Sequence, residues 1–324
     1  MSDSTQVAAT PAAPAEVPVA VRRAAAKPVS FGQVVGRSPF VPYLFLLPGL
    51  ALFVVFFAWP AVEAVEASFT DYSIVNPLHV VGFANYTELF HDEVFLAALG
   101  HSLIVMVGLL PFSVAIPLWL AILVNRKLRG IQVFRAVYFL PVITSMITVA
   151  VAWNYVFADK GVLNWLVATL GLSDAPIHFL LDPHWALASV ILVEGWKGIG
   201  TYMMIYLAGL QAIPGDLYEA AEIDGAGAWQ RFTRVTLPLM RPFMAVALAI
   251  EMVNALQVFT SVYVLTQGGP NDHTTTAGYF VWSQAFQHYR FGYASAAGVV
   301  VWAILIALAL VNHRLTNGKQ ANTP

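Results

Sequence analysis

Leu99-Gly100-His101-Ser102-Leu103-Ile104-Val105-Met106-Val107-Gly108-Leu109-Leu110-Pro111-Phe112-Ser113-Val114-Ala115-Ile116-Pro117-Leu118-Trp119-Leu120-Ala121-Ile122-Leu123-Val124 runs without a single Asp, Glu, Lys or Arg. A helix crosses the hydrocarbon core with about 20 mostly apolar residues, because roughly 30 Å is covered at about 1.5 Å per residue. This stretch is long enough, and five others match it: Tyr43 to Val62, Val133 to Phe157, Trp185 to Leu207, Phe243 to Leu265 and Tyr293 to Val311. The expectation is an all-α membrane protein of about six transmembrane helices. Composition agrees, with 59% hydrophobic and 10% charged residues and a mean hydropathy of +0.70, far from what keeps a globular domain soluble.

Residues 1–38 are Ala-, Pro-, Val- and Ser-rich without apolar periodicity and read as a disordered tail. Residues 39–315 hold the spans, and 316–324 form a second short tail. A cleaved signal peptide does not fit. Its charged region sits a few residues before a short apolar stretch, whereas here the first run begins near Val41 and is long enough to span.

The net charge of −2 says less than the placement of the cations. Arg22, Arg23, Lys27, Arg37, Arg126, Lys127, Arg129, Arg135, Arg231, Arg234, Arg241, Arg314 and Lys319 all fall on one side of the six spans. Only Lys160 and Arg290 fall opposite, and Lys197 lies within a span. The positive side is cytoplasmic, which places both termini inside. The outer segment Glu63 to Ala97 has no Lys or Arg but six acids, so it is either a docking surface or a solvated cap. Cysteine is absent, which excludes disulfides, thiol catalysis and Cys-based metal sites.

Between the fourth and fifth spans, Ile213-Pro214-Gly215-Asp216-Leu217-Tyr218-Glu219-Ala220-Ala221-Glu222-Ile223-Asp224-Gly225-Ala226 predicts a short cytoplasmic helix. Pro214 and Gly215 break the preceding span, Asp216 and Glu219 suit a capping box, and Gly225 suits a terminator. Leu217, Ala220, Ala221, Asp224 and Ala228 then share one small, mostly apolar face at helical spacing. Small side chains admit a close partner, so the helix fits a groove on another protein. The other reading is a helix lying on the headgroups. Asp216, Glu219, Glu222 and Asp224 speak against it, since an anionic leaflet repels them.

Glu219-Ala220-Ala221, three residues to Gly225, nine more to Val235 and then Thr236-Leu237-Pro238 resembles the EAA loop of permease subunits of binding-protein-dependent ABC importers. Val235 stands where Ile is usual. The likeness extends from about Phe40 to the C-terminus and narrows to the carbohydrate-type permeases. It rests on Gly82-Phe83-Ala84-Asn85-Tyr86, Phe134-Arg135 with Phe139-Leu140-Pro141, Gly161-Val162-Leu163-Asn164, and Leu265-Thr266-Gln267-Gly268-Gly269-Pro270. The resemblance implies a multi-pass protein of a prokaryotic cytoplasmic (inner) membrane. In that family the loop docks on the ATP-hydrolysing subunit, so Glu219, Ala220, Ala221, Asp224, Gly225, Leu237 and Pro238 would make or support that contact. It also implies two ATP-binding subunits, a second permease that makes a hetero-dimer, and an extracytoplasmic solute-binding protein. The solute would be a sugar or sugar-like molecule, with glycerol phosphate also open.

No Gly-x-x-x-x-Gly-Lys-Ser/Thr phosphate cradle occurs, so a transport ATPase activity belongs to another polypeptide, which would hold the ATP and Mg. The chain itself is expected to bind no cofactor, no metal and no nucleic acid. Its histidines lack His-Glu-x-x-His or similar spacing.

Polar side chains inside spans are rare and usually face a cavity or each other. Glu194 and Lys197 are three apart, suited to an ion pair or to a solute path. Glu251, Asn254 and Gln257 form a stripe that offers hydrogen bonds to sugar hydroxyls or to a neighbouring helix. Tyr263 and Trp196 join as candidate stacking faces or as belt residues. An ion-coupled secondary transporter or channel is the rival reading. Pro111 and Pro117 would then mark an unwound span, but the acidic loop would stay unexplained.

Overall fold

A computed structural model describes residues 40–73, 79–125, 130–173 and 175–317; of residues 41, 42 and 315–317 only the backbone is described. The 1–38 tail and Arg126, Lys127 and Arg129 lie outside this set. The chain divides into two units, Met1–Trp59 and Pro60–Pro324. In the first, the described helical residues present their apolar side chains outward, with Tyr43 70% and Phe45 80% exposed. That is the exposure expected of a surface facing lipid.

Helix α1 runs as Val41–Phe53, a π turn at Val54–Ala58, and Trp59–Ala67. Short α2 is Ala84–Leu89. Helix α3 runs as Glu93–Leu110, a π turn at Pro111–Ala115, and Ile116–Val124. Helices α4 (Ile131–Ile143), α5 (Met146–Phe157) and α6 (Val162–Thr169) precede the long α7 (Pro183–Ala212). Helix α8 is Gly215–Ile223, and α9 runs as Ala228–Arg231, a π turn at Phe232–Thr236, and Leu237–Leu256. Helices α10 (Thr260–Leu265), α11 (Ala277–Phe286) and α12 (Phe291–Asn317) complete the chain.

Prolines set the irregularities. The three π turns close with bonds from Trp59 to Val54, Ile116 to Pro111 and Leu237 to Phe232, each donor immediately preceding Pro60, Pro117 or Pro238. A proline inside a helix removes one N–H and crowds the carbonyl four residues back, and a widened turn accommodates both.

Among the described residues, four helices are long and apolar enough to cross a membrane: Tyr43–Ala67, Glu93–Val124, Ala228–Leu256 and Phe291–Arg314. A fifth is added if Ile131–Ile143 and Met146–Thr169 count as one span, although they meet at 100°. Three of the expected spans differ in detail. The expected Val133–Phe157 span breaks at Thr144 and Ser145, both extended, where Thr144 Oγ1 donates to the Leu140 carbonyl at 3.0 Å. The expected Trp185–Leu207 span lies within α7, whose 30 residues reach about 45 Å but include Glu194 and Lys197. The expected Phe243–Leu265 span starts earlier, at Ala228, and stops at Leu256 before α10.

Helix α7 is the pillar of the second unit. Asp182 caps it, accepting from His184 N at 2.9 Å, and Pro183 occupies the first turn. That backbone N–H holds the Asp182 carboxyl below the usual carboxylate range. Small residues let its neighbours close in. A Cβ on Gly195 would overlap the Phe112 ring of the α3 π turn, and one on Gly200 would overlap the Tyr138 carbonyl of α4. Around this contact Leu118, Leu120, Met203, Tyr206 and Met240 form a core of α3, α7 and α9 residues. A second core joins α3, α11 and α12 through Phe95, Phe280 and Tyr293.

The acidic segment Glu63 to Ala97 is anchored at the start of α12. Arg290 Nη2 meets both oxygens of Glu88 at 2.7 Å and lies 4.1 Å over the Tyr293 ring, while Tyr293 Oη donates to Asp92 at 2.7 Å. Asn85 donates to the Ser68 and Thr70 carbonyls at 2.9 and 2.8 Å. Asn164 likewise ties Ala158 to both backbone groups of Ile177.

Candidate functional site

A cavity of about 340 Å3 opens between α7 and α9. Helix α7 contributes Glu194, Lys197, Gly198, Thr201 and Tyr202, residues that recur every three or four positions and so share one face. Helix α9 contributes Glu251 and Asn254, the break after it Gln257, Val258 and Phe259, and the first position of α10 Thr260. Leu109, Val142 and Met146 close the apolar side. Five of the seven in-span polar or aromatic residues singled out from sequence therefore meet at one place: Glu194, Lys197, Glu251, Asn254 and Gln257.

The details differ from the simplest sequence expectation. Glu194 Oε1 accepts from Ser261 Oγ of α10 at 2.5 Å, and Lys197 Nζ reaches the Val142 carbonyl of α4 at 3.5 Å. Each takes its hydrogen bond from another helix. Asn254 Nδ2 approaches Tyr202 Oη at 3.4 Å, and Glu251 is only 4% exposed. Gln257 stands just past the end of α9, so the stripe continues from the helix into the break that follows.

Tyr263 and Trp196 do not line the cavity. Tyr263 packs at 4.8 Å from Trp282, and Trp196 packs edge-on to Trp153 at 5.6 Å. Phe259 is the aromatic side chain at the wall besides Tyr202. The sequence signal that finds Thr201 and Tyr202 is the helical period running on from Glu194 and Lys197.

The second region is the segment from α8 to the start of α9. Helix α8 begins at Gly215 rather than after Asp216, because Pro214, itself extended at φ −59° and ψ 134°, is the N-cap residue and its carbonyl already accepts from Leu217. Asp216 therefore sits in the first turn and makes no capping bond, though it still faces the positive end of the helix dipole. The C-terminal end forms a Schellman motif: Gly225 has φ +77°, Ala226 N donates to Ala221 O at 2.9 Å and Gly225 N to Glu222 O at 3.0 Å. Because the chain turns at Gly225, Ala228 belongs to α9 and drops out of the face expected to hold Leu217, Ala220, Ala221 and Asp224.

No residue of α8 is buried. Leu217 is 43%, Ile223 86% and nearby Trp229 73% exposed, and Glu219, Ala220, Asp224 and Gly225 are exposed as well. Two links hold the helix to α9: Tyr218 Oη with Thr236 Oγ1 at 3.0 Å and Arg231 with Glu222 at 2.8 Å. Leu237 and Pro238 open the main stretch of α9 immediately after its π turn. Among the described residues, no group of three or more His, Asp or Glu could hold a metal ion.

Residues 113–318 match the family model described as binding-protein-dependent transport system inner membrane component. The chain is 36% identical over 282 residues to the probable ABC transporter permease protein YurN of Bacillus subtilis, covering 86% of this chain and 96% of that one. It is 32% identical over 274 residues to the lactose transport system permease protein LacF of Rhizobium radiobacter, covering 83% and 91%. Among solved structures, one chain of a bacterial alginate ABC transporter in complex with alginate pentasaccharide-bound periplasmic protein superposes with a TM-score of 0.73 at 27% identity, covering 88% of this chain and 96% of that one. An all-helical chain that matches this family over most of its length, and full-length permeases above 30% identity, belongs to the inner membrane components of binding-protein-dependent transport systems, the permeases of ABC transporters, and is a multi-pass protein of the cytoplasmic membrane.

Proposed function

We propose that this chain is one of two permease subunits of an ATP-driven importer for a sugar or sugar-like solute. The solute arrives from an extracytoplasmic binding protein and passes a route to which the α7–α9 cavity contributes one half. The energy comes from ATP hydrolysed on two separate subunits, one of which docks on α8. Lactose transport by a 32% identical relative and the periplasmic protein bound in the structural neighbour support the solute class and the delivery.

The observation that carries the reading is α8 itself. A helix with no buried residue, tethered to a spanning helix through Tyr218–Thr236 and Glu222–Arg231, is built to be held from outside. A partner that prefers one position of α8 when nucleotide is bound shifts the chain between two states by its difference in affinity. Glu219, Ala220, Ala221, Asp224 and Gly225 would form the contact, and Leu237 and Pro238 would pass its motion to α9.

The cavity suits polyhydroxylated solutes. Asn254, Gln257, Thr201 and Thr260 offer neutral donors and acceptors, and a site that hydrogen-bonds hydroxyls discriminates by leaving its polar groups unpaired when the hydroxyls are missing.

Purification from native membranes tests the assembly. The expected outcome is a complex containing a second permease and two ATP-binding subunits, whose reconstituted uptake requires the binding protein and ATP. Uptake that persists without the ATP-binding subunits, driven by an ion gradient, would overturn the proposal in favour of a secondary transporter.

A further inference from the structure

Helix α8 has two unlike sides. Tyr218 and Glu222, one turn apart, hold it to α9 through Thr236 and Arg231. At about 100° per residue, Ile223 stands about 140° around the axis from Tyr218 and shares the far side with Asp216 and Ala220, at four- and three-residue spacing. Glu219 borders that side. All four residues are exposed, Ile223 at 86%.

A single exposed Ile is ordinary on a protein surface. Its setting singles Ile223 out. Ala220 beside it is small, so Ile223 stands up as the large apolar side chain of the side that α9 does not hold. A β-branched side chain in a helix has one strongly preferred rotamer, and the bonds from Gly225 N to Glu222 O and from Ala226 N to Ala221 O fix the helix end beneath it. The knob is therefore preorganised, and seating it costs little ordering.

Lipid does not fit as its cover. Asp216 and Glu219 share the exposed surface with Ile223, and pressing Ile223 into a bilayer would press these carboxylates against anionic headgroups. A protein surface can treat the two differently, with an apolar hole for the Ile and a hydrated rim for the acids.

We propose that Ile223 is the apolar anchor of α8, seated in a hole on the ATP-binding subunit, with the acids around it forming the polar rim. This rests on the reading of α8 as the docking element. It adds a residue outside the set Glu219, Ala220, Ala221, Asp224 and Gly225, and it has a physical consequence: the grip comes from desolvating an apolar side chain and so persists in salt, which screens charges and not apolar contacts.

The complete transporter, with variants carried by this chain alone, is placed in lipid nanodiscs with labelled ATP-binding subunits and chased with unlabelled ones. Dissociation is followed at about 0.1 M and about 1 M salt, where the screening length falls from about 10 to about 3 Å. Ile223→Ala is expected to speed dissociation about tenfold or more at both concentrations, because burying such a side chain contributes on this order. Ile223→Leu, of similar volume, should stay near the parent. Ala favours a helix more than Ile does, so α8 stays formed in the variant. A parental rate for Ile223→Ala, or a loss at one salt concentration alone, would overturn the anchor.

A photo-activatable residue in place of Ile223 identifies the occupant independently. Adducts to the ATP-binding subunit are the expected result; such adducts together with an unchanged rate in Ile223→Ala would strike the anchor and leave the docking of α8 intact. Adducts confined to lipid or to the other permease subunit would remove the docking reading, and the anchor with it.

Discussion

Pro117 supplies no N–H to the Ser113 carbonyl four residues back, and a side chain from another helix takes that acceptor: Tyr206 Oη donates to Ser113 O at 2.7 Å, both residues buried. Leaving a buried carbonyl short of a donor costs about 1–3 kcal/mol. Tyr206→Phe should therefore lower unfolding stability in detergent by that order, with helix content unchanged; a variant as stable as the parent would show that the carbonyl is satisfied elsewhere. Asn254→Leu removes a cavity amide near Tyr202 and should weaken or redirect uptake while the subunits stay together. Loss of assembly instead would assign Asn254 to packing. At this scale the three-residue spacing of Glu251 and Asn254 was readable, because one helix face follows from periodicity alone. The partners of Glu194 and Lys197 were not. Spacing places two side chains within reach of each other, but Ser261 and Val142 come near only once separate helices have packed. The packing of Tyr263 and Trp196 against rings of α11 and α5 was hidden for the same reason.

Helices show how glycine and proline at particular positions set the geometry of whole elements. Gly225 adopts φ +77° to close the Schellman turn after α8, a conformation that a β-branched residue adopts only under strain. Gly225→Val should thus uncouple the transporter: membrane insertion and subunit assembly persist, and solute-stimulated ATP hydrolysis falls at least several-fold in reconstituted vesicles. Unchanged stimulation would remove the coupling role from this turn. Gly200→Leu tests a different element contact. Its side chain would collide with the backbone of Tyr138 and with Val142, pushing α4 from α7 and displacing the Val142 wall of the cavity; the expected result is lost uptake with lowered stability, and a variant that transports normally would contradict the close approach. The α8 terminator was legible because Gly after an acidic, Ala-rich turn has a specific backbone meaning. Its start was misplaced by two residues, since Pro214 opens the helix before Asp216 can cap it. The resemblance motifs also acquire mechanical roles. Asn85 and Asn164 staple loop backbones, and Arg135 donates to the Val124 carbonyl at 2.8 Å at the end of α3.

At the scale of the molecule, composition announced the bilayer and the length of apolar runs located most spans, whereas the bend of 100° between Ile131–Ile143 and Met146–Thr169 was hidden. An apolar run with a Thr-Ser break has the same hydropathy as a straight one, and only its hydrogen bonds differ. The cation count, thirteen of sixteen on one side of the six expected spans, predicts that both termini lie in the cytoplasm. A phosphatase reporter fused after Pro324 should be silent and one inserted after Tyr289 active; the reverse pattern would invert the molecule and remove α8 from the cytoplasm. This exposed, acid-rich helix is expected to be gripped by a separate ATP-hydrolysing subunit. A photo-activatable residue at Leu217, activated in native membranes, measures it most directly. Adducts to an ATP-binding protein, with a yield that changes between nucleotide-free and ATP-bound conditions, are the predicted result; adducts to lipid alone, identical in both conditions, would contradict it.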